Sequence, residues 1–129
     1  MKTKLIYAEL KTGYNDDGPA WIGKALFSRT GETIYFNGLS FLKGERHSSG
    51  NYLERFSGNS YWISGVKKDG KDRHWAGGGK IKIDKEVVAE YLELTKQSKL
   101  QSHLFEIVEL NNDPPIKEFH AIENMKLNN

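Results

Sequence analysis

Residues 21–37 read WIGKALFSRTGETIYFN, and the fold class turns on how this stretch doubles back. Trp21–Ser28 carries a strand pattern, and Glu32–Asn37 carries a second one. Between them, Thr30-Gly31 suits a tight turn, because glycine takes a positive φ without steric cost. In that register Arg29 stands opposite Glu32 and Phe27 opposite Ile34. An ion pair and an apolar pair facing each other across two strands both favour an antiparallel hairpin.

Towards the N-terminus, Lys4–Leu10 sets Leu5, Tyr7 and Glu9 against Ile6, Ala8 and Leu10, the alternation of a first strand. KTGYNDDGP (residues 11–19) then reads as a turn-rich loop, with Asn and Asp bonding their own backbone and Pro19 fixing φ. Towards the C-terminus, residues 43–50 are polar and glycine-containing, the expected mobile loop. Asn51–Phe56 and Tyr61–Val66 form a second hairpin around Ser57-Gly58-Asn59-Ser60. Asp69-Gly70 predicts a type I′ hairpin that folds Lys71–Ala76 back on Tyr61–Lys68. Gly77-Gly78-Gly79 is followed by a short strand at Lys80–Ile83.

The period then changes. Asp84 can cap a helix, Glu86 suits its first turn, and Val87, Val88, Tyr91, Leu92 and Leu94 recur at helical spacing. This predicts a helix over 85–97. Leu100–Leu110 fits either element and is assigned to a strand returning to the sheet. Asp113-Pro114 resembles a cap and first-turn proline, which predicts a short last element holding Ile116, Phe119 and Ile122. The expected architecture is mainly β within the α+β class: an antiparallel meander curling into a small or partly open barrel, with one covering helix. Residues 1–97 form a single β-rich domain, and 98–129 form an extension packed on it with a frayed end.

Composition narrows the functions. The chain has 129 residues, a formal charge of +2 and no cysteine, which excludes disulfides, thiolate metal sites and thiol catalysis. The apolar run in MKTKLIYAEL is too short for a secretory signal, and no stretch approaches a membrane span, so a cytoplasmic protein with no membrane partner is the expectation. Charge is uneven: residues 61–85 carry net +4 and residues 86–129 net −4.

The strings KTGYNDDGPAWIG, FSRTGETIYFNG, GNY and YWISGVKKDGKDRHWAGGG, with the KIKID-to-helix junction, resemble a family of small uncharacterised bacterial proteins. The resemblance spans Leu5 to Leu94. Proteins of this kind are sometimes labelled 1-deoxyxylulose-5-phosphate synthase. That label does not suit this chain: a thiamine-diphosphate enzyme needs several large α/β domains and a GDG-to-NN motif, and both are missing. The resemblance implies no catalytic residue.

Candidate sites concentrate in residues 61–75. Lys67, Lys68, Lys71 and Arg73 are cationic, and Trp62, His74 and Trp75 are planar, a combination that engages acidic or stacked partners. Tyr14 and Asp17 stand beside them as further binding candidates. Asp72 and His74 share a strand face in the expected hairpin, so Asp72 could orient His74 as a base, with Ser64 as a weak nucleophile candidate. Gly77-Gly78-Gly79-Lys80 lacks the earlier glycine, the following Ser or Thr and the helix of a phosphate loop. Asn15, Asp16 and Asp17 lack EF-hand spacing, and His47, His74, His103 and His120 show no ligand spacing, so neither metal nor cofactor is assigned. The sequence thus reads as a non-catalytic binding module for nucleic acid or an acidic protein surface. The alternative is a small hydrolase or anion-processing enzyme centred on Asp72 and His74.

Overall fold

The structure is a computed structural model that describes residues 2–11, 18–44, 50–73 and 79–113. Six antiparallel strands close into a barrel: β1 (Lys2–Leu10), β2 (Ala20–Phe27), β3 (Thr33–Phe36), β4 (Leu39–Lys43), β5 (Tyr52–Glu54) and β6 (Ser60–Gly65). Each strand pairs with the next, and β6 returns to β1 from Ile6↔Gly65 to Leu10↔Tyr61. The expected β2–β3 hairpin forms in the expected register, with Phe27 opposite Ile34.

β2 is long enough to serve two neighbours on one edge. Leu26 and Phe27 pair with β3, while Ala20–Ile22 pair in parallel with β7 (Ile81–Asp84). β8 (Phe105–Val108) adds in parallel to β7. Parallel neighbours need a crossover, and here it contains a single 3-10 turn at Lys85–Val87 and α1 (Val88–Thr95). Asp84 caps the 3-10 turn that leads into α1, its Oδ1 accepting the Glu86 N–H. The helix stops at Thr95, short of the expected Gln97, because Lys96 turns left-handed at φ 56° and passes N–H bonds back to the last turn.

Alternation along β1 feeds two cores. Ile6 and Ala8 point into the barrel with Ala25, Ile34, Phe36, Phe41, Tyr61 and Ile63. Tyr7 points outward, into a second core with Ala20, Ile22, Ile81, Ile83, Val87, Tyr91 and Phe105. α1 covers this outer layer and sets Tyr91 against the Phe105 ring at 5.5 Å.

One turn assignment is corrected and one unassigned turn is found. Lys71–Ala76 does not fold back on Tyr61–Lys68 as far as it is described: β6 ends at Gly65, and residues 66–73 contain no strand. Both edges of β6 are taken, one by β5 and one by β1. The Asp69 side chain instead bonds the Lys71 N–H, and only Gly70 has positive φ. The turn with positive φ at both central residues is Asn37-Gly38, at 51° and 75°, joining β3 to β4, a strand the sequence reading did not assign. The short element expected after Asp113 and most of the expected mobile loop (residues 45–49) lie outside the described residues.

Candidate functional site

Strand β1 presents Tyr7 and Glu9 on the outside of the barrel, where Ser64 and Trp62 of β6 are their cross-strand partners. A glutamate on an outer barrel face is normally solvated. Glu9 is buried, because the segment after β6 folds over it and brings in Arg73. The Tyr7 hydroxyl donates to Glu9 Oε1 at 2.5 Å, and the Lys11 ammonium donates to Oε2 at 2.7 Å. Arg73 Nη1 stands 3.9 Å from Oε1, an ion pair without a hydrogen bond. Burial, then the Glu9 hydrogen bond and charge, push the Tyr7 hydroxyl well above the ordinary phenol range. Tyr7 is therefore a neutral donor here, not a phenolate.

Arg73 is the unusual member. Its side chain is 1% exposed, yet Nε and Nη1 have no hydrogen-bond partner among the described residues. A buried donor left unpaired costs about 1–3 kcal/mol, and more when charged. Asp72, its neighbour, is divided: Oδ1 accepts the Lys67 N–H at 2.9 Å, and Oδ2 is buried without a partner. Burial holds the Asp72 carboxyl above its usual range, against the pull of the Lys67 N–H and ammonium. Burial, with the Asp72 charge adding, pushes the Tyr91 hydroxyl up to about 12. The segment 66–73 thus packs against α1, with Gly70 lying close to Gln97 and Tyr91.

The sequence-predicted residues therefore divide. Trp62 is on the outer face, 41% exposed, and Lys67, Lys68 and Lys71 are exposed on the turns after β6. Arg73 belongs to the buried Glu9 cluster, not to the exposed tip. Ser64 is half-buried opposite Tyr7, and no described contact joins it to Asp72. Tyr14, Asp17, His74 and Trp75 lie outside the described residues. Tyr7, Glu9 and Lys11 were not singled out from the sequence. Their signal was a carboxylate in line with Leu5 and Tyr7 on one face of the first strand.

A second feature lies on the same side of the sheet. Leu42 and Leu53 are direct cross-strand partners, and Leu53 pairs with Ser60, two residues before Trp62. Phe41, Tyr61 and Ile63 fill the barrel, so Leu42 and Trp62 face out by alternation. Leu53 does so as well, because its neighbour Tyr52 packs inward.

Among the described residues no group of three or more His, Asp or Glu side chains is placed to hold a metal ion, and no helix is long and apolar enough to cross a membrane. No family model, curated protein or solved structure matches the chain.

Proposed function

We propose that the protein is a non-catalytic interaction module that docks an acidic protein segment across the outer face of β4, β5 and β6. The observation that carries this reading is a contiguous apolar stripe: Leu42, Leu53 and Trp62 are 37%, 42% and 41% exposed on adjoining strands. Single exposed apolar residues are ordinary, whereas neighbours in register on one face mark a contact surface. Trp supplies the large, stiff anchor that such surfaces concentrate their binding energy on.

Charge selects the partner. Lys67, Lys68 and Lys71 follow β6 on exposed turns, and no described carboxylate lies within 4.0 Å of their ammonium groups. A cationic segment that follows the Trp62 strand in the chain complements an acidic segment carrying leucine or phenylalanine anchors. Nucleic acid suits the lysines but leaves Leu42 and Leu53 without a role.

The test is NMR titration with a synthetic peptide alternating Glu with Leu and Phe, run beside single-stranded RNA. The peptide is expected to shift the amides of Leu42, Leu53 and Trp62. Trp62→Ala or Leu53→Asp should weaken it by roughly tenfold or more. Binding of RNA with a steep salt dependence, while the peptide leaves these amides unmoved, would replace the acidic-protein reading with a nucleic-acid one.

A further inference from the structure

Residues 66–73 lie over the outer layer as a strap with no strand of its own. The hydrogen bonds described for it close the segment on itself. Gly70 N–H donates to the Lys67 carbonyl at 3.0 Å, Lys71 N–H to Asp69 Oδ1 at 2.8 Å, and Lys67 N–H to Asp72 Oδ1 at 2.9 Å. Packing and charge tie it to the barrel: Val66 against the core around Tyr7, Gly70 against Gln97 and Tyr91, and Arg73 facing Glu9. An element held by few contacts and no strand ladder opens locally at lower cost than the core. We propose that this strap is a pH-sensitive element, packed more tightly in acid and loosened as Asp72 gives up its proton.

Asp72 carries the argument. Its Oδ2 is shut off from solvent and has no hydrogen-bond partner among the described residues, while Oδ1 accepts one backbone N–H. No described cation lies within 4.0 Å of either oxygen. A carboxylate so placed loses hydration that nothing replaces, and the neutral acid costs less there than the charged form. The proton needs no cavity, because it enters and leaves during the local openings themselves.

The charges around Asp72 do not reverse this. From its own segment, the Lys67 N–H and ammonium favour the carboxylate, whereas the Asp69 carboxylate opposes it. From α1, the fully buried Tyr91 hydroxyl is neutral and bonded to Gln97. Glu9 and Lys11 face the Arg73 end of the strap. Burial outweighs the Lys67 contribution and holds the carboxyl above its ordinary range. In the lifted strap Asp72 is solvated and titrates near ~3.9. The packed form therefore holds its proton to higher pH than the lifted one. Its advantage is complete below the ordinary carboxylate value and is lost as pH rises through the raised one. Leu42, Leu53 and Trp62 lie on β4, β5 and β6, so the inference stands whatever docks there.

Amide exchange read by NMR, corrected for the intrinsic rate, tests the strap. Gly70 N–H is the reporter, because its acceptor is a carbonyl that does not titrate. Its protection should fall by roughly threefold or more between about pH 5 and about pH 8, while amides in β1 and β2 stay level. Asp72→Asn removes the titrating group and should abolish the fall. Asp69→Asn, at an exposed position, should retain most of it. The carboxyl carbon shift of Asp72 gives a second reading that needs no variant, and its midpoint should lie above the ordinary value of ~3.9. A midpoint at or below that value, a level Gly70 protection in the parent chain, or a fall that persists undiminished in Asp72→Asn would overturn the proposal.

Discussion

Replacing Glu9 with Gln separates charge from shape at the centre of the buried cluster. The amide keeps the volume, and its oxygen still accepts the Tyr7 hydroxyl. What disappears is the carboxylate that balances Arg73, 1% exposed, and Lys11, 13% exposed. Removing one partner of a buried ion pair costs about 3–5 kcal/mol, because the other charge stays buried without compensation. The Arg73 contact is 3.9 Å and not hydrogen-bonded, which places the loss near the lower bound. The Lys11 contact is partly exposed and adds little, ~0–1 kcal/mol. A loss of about 3 kcal/mol follows. At ~2.1 cal/mol/K of unfolding entropy per residue, that lowers the Tm by roughly 10 °C.

Urea denaturation measures this directly: Cm should fall while the m-value stays constant. The attribution rests on the double variant. Arg73→Met removes the guanidinium but fills its space, so Glu9→Gln in that background should cost much less than in the parent. The coupling energy should be about 1–3 kcal/mol. A Glu9→Gln loss under about 1 kcal/mol, or losses that simply add, would refute the idea that Glu9 is retained to balance a buried Arg73.

Two further outcomes test the turn and the buried phenols. Gly38→Ala forces an L-residue to φ +75° and brings its Cβ within 2.6 Å of Asn111 Nδ2. It should cost about 1–2 kcal/mol and speed amide exchange in β3 and β4, whereas Gly70→Ala should leave barrel exchange unchanged; equal effects on the barrel would contradict the turn assignment. In alkali, Tyr91 stays protonated in the folded chain up to about 12 but ionises near 10 when unfolded, so its contribution is intact below pH ~10 and is lost as pH rises towards 12. Tyr7 shifts in the same direction. Denaturation midpoints should therefore fall across this window, and Tyr91→Phe should flatten the fall; a slope unchanged in Tyr91→Phe would show that Tyr91 does not drive it.

Local chemistry decided the parts of the fold that were legible. Phe27 opposite Ile34 needs only two short strands and a glycine turn, and it forms as read. Asp84 at the head of a helical period needs only its own carboxylate and the Glu86 N–H. The β3–β4 turn was equally local, because Asn-Gly is the pair that tolerates positive φ twice, and it went unassigned beside the louder Asp-Gly. Asp69-Gly70 misled for a non-local reason. A hairpin after β6 needs a free edge, and that edge belongs to β1, more than fifty residues earlier in the chain.

The candidate site failed to show in the sequence for the same reason, one level up. Glu9 and Arg73 are both residues that normally face water, and period-two alternation put Glu9 on one face with Leu5 and Tyr7 without saying which face would be covered. What buries it is a second layer: β7 joining β2 in parallel, α1 covering Tyr7 and Ile22, and residues 66–73 packing down between them. None of those contacts leaves a mark in the sequence near Glu9. The same layer explains why the basic segment divides. Residues that extend past it, Lys67, Lys68 and Lys71, remain solvated, whereas Arg73 reaches underneath and trades its hydration for a counter-charge it does not hydrogen-bond.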